Sequence, residues 1–136
     1  MSKVAVVYYS GTGNTEMMAN AIVEGVTTNG SDAKLINVSD FKVEMVSEFD
    51  AFAFGCPSMG DEALEESEFE PMWSEVSNLL EGKKVVLFGS YSWGDGQWMR
   101  DWESNAPCTI LDTLICNETP DDEGLNKCRE LSAKLL

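Results

Sequence analysis

Hydroxyl, amide and glycine residues crowd one stretch, Ser10-Gly11-Thr12-Gly13-Asn14-Thr15, and their chemistry is that of anion binding. Ser, Thr and Asn offer neutral donors at four of the six positions, and the glycines let an anion come close to the backbone. No Lys or Arg stands in the stretch or in the helical turns expected after it, so an anion would be held without countercharge. The Gly-Lys-Ser/Thr ending of a P-loop is missing, which argues against nucleoside triphosphate hydrolysis. The third glycine of a GxGxxG turn is missing too, so a monophosphate fits better than a pyrophosphate. The same residues would also make a plain flexible turn with an Asn or Thr N-cap.

Two further loops carry unusual side chains. Gly55-Cys56-Pro57-Ser58-Met59-Gly60-Asp61-Glu62 and Gly89-Ser90-Tyr91-Ser92-Trp93-Gly94-Asp95-Gly96 each set one large polarizable residue, Met59 or Trp93, among glycines. Brought together beside the anion loop, these two would sandwich a flat ring system. Alternatively, each folds back onto the core.

The elements that must position these loops follow from periodicity. The apolar run Val4 to Tyr9 reads as a strand, and Ala19, Ile22, Val23 and Val26 fall on one helical face, stopped by Asn29-Gly30. The anion loop therefore lies at a strand-to-helix turn, where free N–H groups and the positive end of a helix dipole point outward. Further strands are expected at about Ala33 to Val38, Ala51 to Gly55, Val85 to Gly89, and between Cys108 and Cys116. A weak helical segment runs from Val43 to Val46. The remaining helices are expected near Pro71 with Trp73, Val76, Leu79 and Leu80 on the buried face, from Gln97 to Ser104, and from about Asp122 to Leu135. Apolar strands alternating with helices predict an α/β fold, a doubly wound parallel sheet covered on both faces. Ligands of such sheets bind beyond the carboxyl ends of the strands, which is where all three loops fall.

At 136 residues the chain is expected to form one domain, 1–136, and 43% hydrophobic residues exclude wholesale disorder. The first residues show no signal peptide and no apolar run approaches a membrane span, which predicts a cytoplasmic protein. A net charge of −15, from 24 acidic and 9 basic residues, disfavours nucleic acid and anionic membrane as partners. With no His, the commonest general base and metal ligand are both absent. Cys56, Cys108, Cys116 and Cys128 show no CxxC spacing and read as reduced packing residues.

Taken together, the Ser10-to-Thr15, Cys56-to-Glu62 and Gly89-to-Gly96 stretches resemble those of the short-chain clostridial type of flavodoxin, with the similarity extending over almost the entire chain. The resemblance implies a flavodoxin-like five-stranded sheet of order 2-1-3-4-5 and a non-covalently bound FMN. It implies a low-potential carrier that moves single electrons between redox proteins, shuttling between semiquinone and hydroquinone, and not a substrate-converting enzyme. Ser10, Thr12, Asn14 and Thr15 would hold the phosphate, with Ser90 as a further contact. Met59 would cover the inner face of the isoalloxazine and Trp93 the outer face. Glu62 would accept from the ring N3–H, and backbone near Ser92 and Gly94 would meet the pyrimidine edge. Gly11, Gly13, Ser58, Gly89, Tyr91 and Asn117 complete the implied cofactor-binding set. The Gly60-Asp61 peptide matches the one that turns over on the first electron, so that its carbonyl accepts from N5–H. No metal is expected.

Some features depart from that family. The segment Trp102 to Pro107 is several residues short, which bears on the packing of Trp98 and Trp102, and Pro57 stands where some relatives carry a phosphate-contacting Ser. The acidic run Asp61 to Glu70 adjoins the expected flavin edge and would either be a solvated loop or dock basic patches on redox partners. So acidic a carrier is expected to be a monomer. The alternative is a small FMN-dependent quinone or nitro-group reductase on the same scaffold. A receiver domain would need an Asp where Tyr9-Ser10 ends the first strand, and a cysteine phosphatase would need a Cys within Ser10 to Thr15.

Overall fold

The computed structural model describes residues 3–60 and 62–136. Five parallel strands form the sheet: β1 (Lys3–Tyr8), β2 (Asp32–Asn37), β3 (Ala51–Gly55), β4 (Lys84–Tyr91) and β5 (Asp112–Asn117). Three α-helices lie between them, α1 (Asn14–Thr28), α2 (Phe69–Val76) and α3 (Gln97–Asn105), while α4 (Asp122–Leu131) follows β5. β2 joins β3 through 3-10 turns at Val38–Asp40 and Val43–Glu48, the second at the expected weak helical segment. The strand order is β2-β1-β3-β4-β5, as the resemblance implied.

The period of two along β1 separates the core into two layers. Ala5 and Val7 face a layer with Trp73 of α2 and Trp98 and Trp102 of α3; Val4, Val6 and Tyr8 face Met18 and Ile22 of α1 and Cys128 and Leu131 of α4. Helices thus cover both faces. The inner strands β1, β3 and β4 are buried almost throughout, whereas the edge strands β2 and β5 are partly exposed.

Several boundaries differ from the sequence-based expectations. β4 runs to Tyr91 instead of ending at Gly89, because Glu118 N donates to Tyr91 O at 2.6 Å and extends the pairing with β5. β5 begins at Asp112, so Cys108 to Leu111 form a lead-in, with Leu111 N bonded to Val85 O at 2.8 Å. Leu79 is 50% exposed and leaves the predicted buried face. Trp73, Val76, Ser77 and Leu80 follow the i, i+3, i+4, i+7 spacing of one helical face and are buried, Leu80 as expected, whereas apolar Leu79 lies off that face; Ser77–Leu79 itself is a 3-10 turn.

The short segment after α3 still packs. Trp98 and Trp102 are both buried, Trp98 Nε1 donates to Cys56 O at 3.2 Å, and Trp102 meets Phe69 and Trp73 edge-on. Trp102 Nε1 has no acceptor among the described residues. No described helix is long and apolar enough to cross a membrane, and among the described residues no His/Cys/Asp/Glu group suits a metal ion.

Candidate functional site

The carboxyl ends of β1, β3, β4 and β5 each release one loop onto the same rim of the sheet. The first, 9–13, enters α1 with Gly13 as N-cap in the left-handed region, φ 97°. Ser10 Oγ accepts from Gly13 N at 3.0 Å and from Glu16 N at 3.3 Å, which fixes the loop and leaves the Ser10 hydroxyl hydrogen free to donate. The amides of Thr12, Asn14 and Thr15 meet no acceptor among the described residues. These are the unpaired donors of a helix start, arranged without a basic side chain. The stretch 10–15 thus presents free backbone amides at a helix start.

Buried Thr15 ties this turn to the sheet. Its Oγ1 lies 3.0 Å from Ser90 Oγ on β4 and accepts from Ser90 N at 3.4 Å. Ser90 O in turn accepts from Ser58 N at 3.0 Å, so one residue connects the loops after β1 and β3. Gly89 is required beside it: a Cβ there would stand 2.2 Å from Cys56 O. Tyr8 O–H donates to Glu16 Oε2 at 2.7 Å, and burial, reinforced by that carboxylate, raises the phenol above its ordinary range.

After β3 the chain makes a tight reversal. Met59 and Ala63 exchange backbone hydrogen bonds of 2.9 Å in both directions, which holds Met59 half-buried beside the rim. Gly60 has φ 48° and Glu62 has φ 56°; Asp61 lies outside the described residues. Left-handed backbone at Glu62 is uncommon for a residue with a side chain, and its carboxylate contacts explain why it is tolerated. Glu62 Oε1 accepts from Gln97 N, the first residue of α3, at 3.2 Å, and the carboxylate rests against Gly94, where a Cβ would come within 2.4 Å of it.

The loop after β4 carries Ser92, Trp93, Gly94 and Asp95, all exposed. Trp93 is 58% exposed and does not fold back onto the core. From β5, Asn117 Nδ2 reaches Tyr91 O at 3.4 Å, and Thr119 Oγ1 donates to Asn14 Oδ1 at 3.2 Å.

Sequence reasoning missed three participants. Thr119 positions Asn14 and Gln97 positions Glu62; both are fixed by tertiary approach and leave no local signal. Glu65, counted with the solvated acidic run, is turned inward at 6% exposure. Its carboxylate accepts from Glu68 N and Phe69 N at 2.8 Å each, from Ser67 N at 2.8 Å and from the Ser67 hydroxyl. Burial alone would raise its pKa, but these four hydrogen bonds prevail and hold it below the ordinary carboxylate range. A hollow of about 660 Å³ between α2 and α3, lined by Trp73, Trp98 and Trp102, shares Glu62 with the rim.

Comparison with known proteins gives this arrangement its context. The family model described as Flavodoxin matches residues 6–130. The chain belongs to the flavodoxin family. It is 47% identical over 133 residues to the flavodoxin of Clostridium beijerinckii, covering 96% of each chain, and 44% identical over 131 residues to that of Megasphaera elsdenii, covering 94% of each. The solution structure of two-electron reduced M. elsdenii flavodoxin superimposes with a TM-score of 0.88 at 43% identity, covering 97% of both chains. The flavodoxin assignment spans the loops after β1, β3, β4 and β5 together.

Proposed function

We propose that the chain is a low-potential electron carrier, a single FMN-binding domain over 1–136 that holds FMN non-covalently and passes single electrons between redox proteins. The observation that carries this reading is the convergence, on one rim, of a helix N-terminus with unpaired amides and no basic side chain and of Met59, Trp93 and Glu62 beside it. Such a donor set fits a monophosphate joined to a flat heterocycle. FMN, when bound, supplies a centre that accepts and releases electrons one at a time.

The chain's own residues do the rest. Ser10, Thr12, Asn14 and Thr15 would hold the phosphate, with Gly11 and Gly13 allowing close approach and Ser90 joining through Thr15. Met59 and Trp93 would cover the two ring faces. Glu62 keeps one oxygen on Gln97 and leaves the other to accept from the ring N3–H. Ser58, Gly89, Tyr91, Ser92, Gly94 and Asn117 would shape the remaining wall. The Gly60 peptide with Asp61 would be the one to turn so that its carbonyl could accept from the ring N5–H, since glycine adopts either turn conformation at low cost.

Electrostatics sets the direction of tuning. With no cation in the phosphate loop, the Glu62 carboxylate at the rim and −15 overall, further negative charge on the cofactor is disfavoured, which lowers the potential of the second electron. Exposed Glu66, Glu68 and Glu70 would dock basic patches on reductases and acceptors, whereas Glu65, turned inward, would not. The protein would work as a monomer in the cytoplasm, apart from nucleic acid and membrane. The family assignment does not favour the alternative, a quinone or nitro-group reductase.

An anaerobic reductive titration of the FMN-reconstituted protein tests this. A long-wavelength absorbance band that rises and then decays is expected for one-electron transfer. Direct passage to the two-electron-reduced form would overturn the carrier reading, and failure to bind FMN would overturn the cofactor.

A further inference from the structure

The four cysteines divide between the two faces of the sheet. Cys56 and Cys108 belong to the layer with α2 and α3; Cys116, near the end of β5, and Cys128, on α4, belong to the other. All four are free thiols in the structure. Cys116 and Cys128 pack in one layer where α4 lies directly on the end of β5, and this close approach has a local cause. Gly124 lies one helical turn before Cys128 on the same face of α4, and a Cβ there would stand 3.0 Å from Cys116 Sγ. Lacking that Cβ, the helix rides low over the strand, with Cys128 on the helix face that meets Cys116.

The pair is also asymmetric. Cys128 is fully buried, while Cys116 is 9% exposed and lines a cavity of about 280 Å³ together with Thr119, Asp121 and Lys127. We propose that Cys116 and Cys128 form a peroxide-sensitive dithiol, with Cys116 as the attacking thiolate and Cys128 as the resolving thiol. Cys116 sulfur attacks one oxygen of a hydroperoxide; the O–O bond breaks, and the other oxygen leaves as water or alcohol, leaving Cys116 as a sulfenic acid. Cys128 sulfur then attacks Cys116 sulfur, the S–O bond breaks, and a second water departs as the S–S bond forms. Two electrons pass from the two sulfurs to the peroxide, and both thiol protons end on the leaving oxygens.

The electrostatics agree with these roles. The neighbouring Cys128 thiol holds the Cys116 thiol below its ordinary range, against burial and Asp121 and with help from Lys127. Cys128 is pushed up by Cys116 and by burial, with Arg129 opposing. Cys56, by contrast, is raised by burial to about 12 and is inert. A reversible disulfide is also the kind that a reducing compartment permits. The bond would clip both ends of the segment 117–127, which carries Thr119 against Asn14, and so connects thiol state to the anion loop.

The test uses the full-length, fully reduced protein. Brief treatment with hydrogen peroxide should lower the thiols titrated after denaturation from four to two, and peptide mapping should join the peptides containing Cys116 and Cys128. Dithiothreitol should restore all four. Cys56→Ser/Cys108→Ser should behave as the parent does, and Cys116→Ser should abolish the linked peptide. A link through Cys56 or Cys108, or four surviving thiols at peroxide levels that form disulfides in known thiol sensors, would overturn the proposal. The mapping of the parent protein decides the matter even where a variant fails to fold.

Discussion

Thr15 Oγ1 and Ser90 Oγ lie 3.0 Å apart, joining the first turn of α1 to β4 across 75 positions of sequence. Both residues are buried, so neither hydroxyl can exchange its partner for water at no cost. Ser90→Ala leaves Thr15 with one partner fewer at the floor of the anion loop. The change should weaken FMN binding by about 1–3 kcal/mol, roughly five- to 150-fold in Kd. Quenching of FMN fluorescence on titration with apoprotein reads this directly, and an unchanged Kd would separate Ser90 from phosphate binding.

Trp93 gives a cleaner contrast between binding and folding. At 58% exposure it contributes little to the core, so Trp93→Ala should leave the urea midpoint of the apoprotein unmoved. Loss of ring stacking should still cost about 1–3 kcal/mol of FMN affinity. Equal losses in both measurements would place Trp93 in the fold instead of over the ring.

Gly60 has open space around its missing Cβ, so any effect of Gly60→Ala is conformational and not steric. Its φ of 48° is one that Ala resists. Restricting the turn should lower the first-electron potential by roughly 30–60 mV, about 0.7–1.4 kcal/mol. Redox titration against dyes of known potential measures it, and an unshifted value would count against a turning peptide.

Glu65→Gln tests the capping carboxylate. Its folded pKa lies below the unfolded value near 4.5, so the stability it contributes is complete above that pH and is lost as the pH falls through the folded value. The variant should be about 1–3 kcal/mol less stable at neutral pH, with the gap to the parent closing on acidification toward pH ~3. Urea unfolding at the two pH values is the check. A gap that widens in acid would reverse the sign assigned here.

Reduction by a basic partner protein should slow several-fold as NaCl rises from about 0.05 to 0.5 M, because the Debye length shrinks. Stopped-flow absorbance measures it. Rates independent of salt would remove exposed Glu66, Glu68 and Glu70 from docking.

Local patterns in the sequence disclosed the elements, and long-range contacts disclosed the roles. The apolar run Ala51–Gly55 coincides with β3 to the residue, and Asn29-Gly30 marks the end of α1, because both signals are local. The donor-rich strand-to-helix turn at 10–15 was legible for the same reason, since donors, glycines and helix start are contiguous. Leu79 reads as buried because it is apolar, yet the i, i+3, i+4, i+7 face counted from Trp73 runs through Val76, Ser77 and Leu80. Glu65 reads as one more acidic residue in an acidic run; only the turn that brings Glu68 and Phe69 back to it makes it a cap. Thr119 and Gln97 act on residues 105 and 35 positions away, and no window of sequence contains either pair.

The parallel register has a kinetic consequence. Val4 pairs with Ala51, and Ala51 with Lys84, so each strand bearing a site loop must find a partner distant in the chain before the rim exists. Cofactor capture is therefore a late event, available only to chains whose sheet has closed. FMN then acts by mass action, withdrawing closed molecules from the unfolding equilibrium in proportion to ln(1 + [FMN]/Kd). A cell's supply of the cofactor would in this way set how long a newly made chain stays folded.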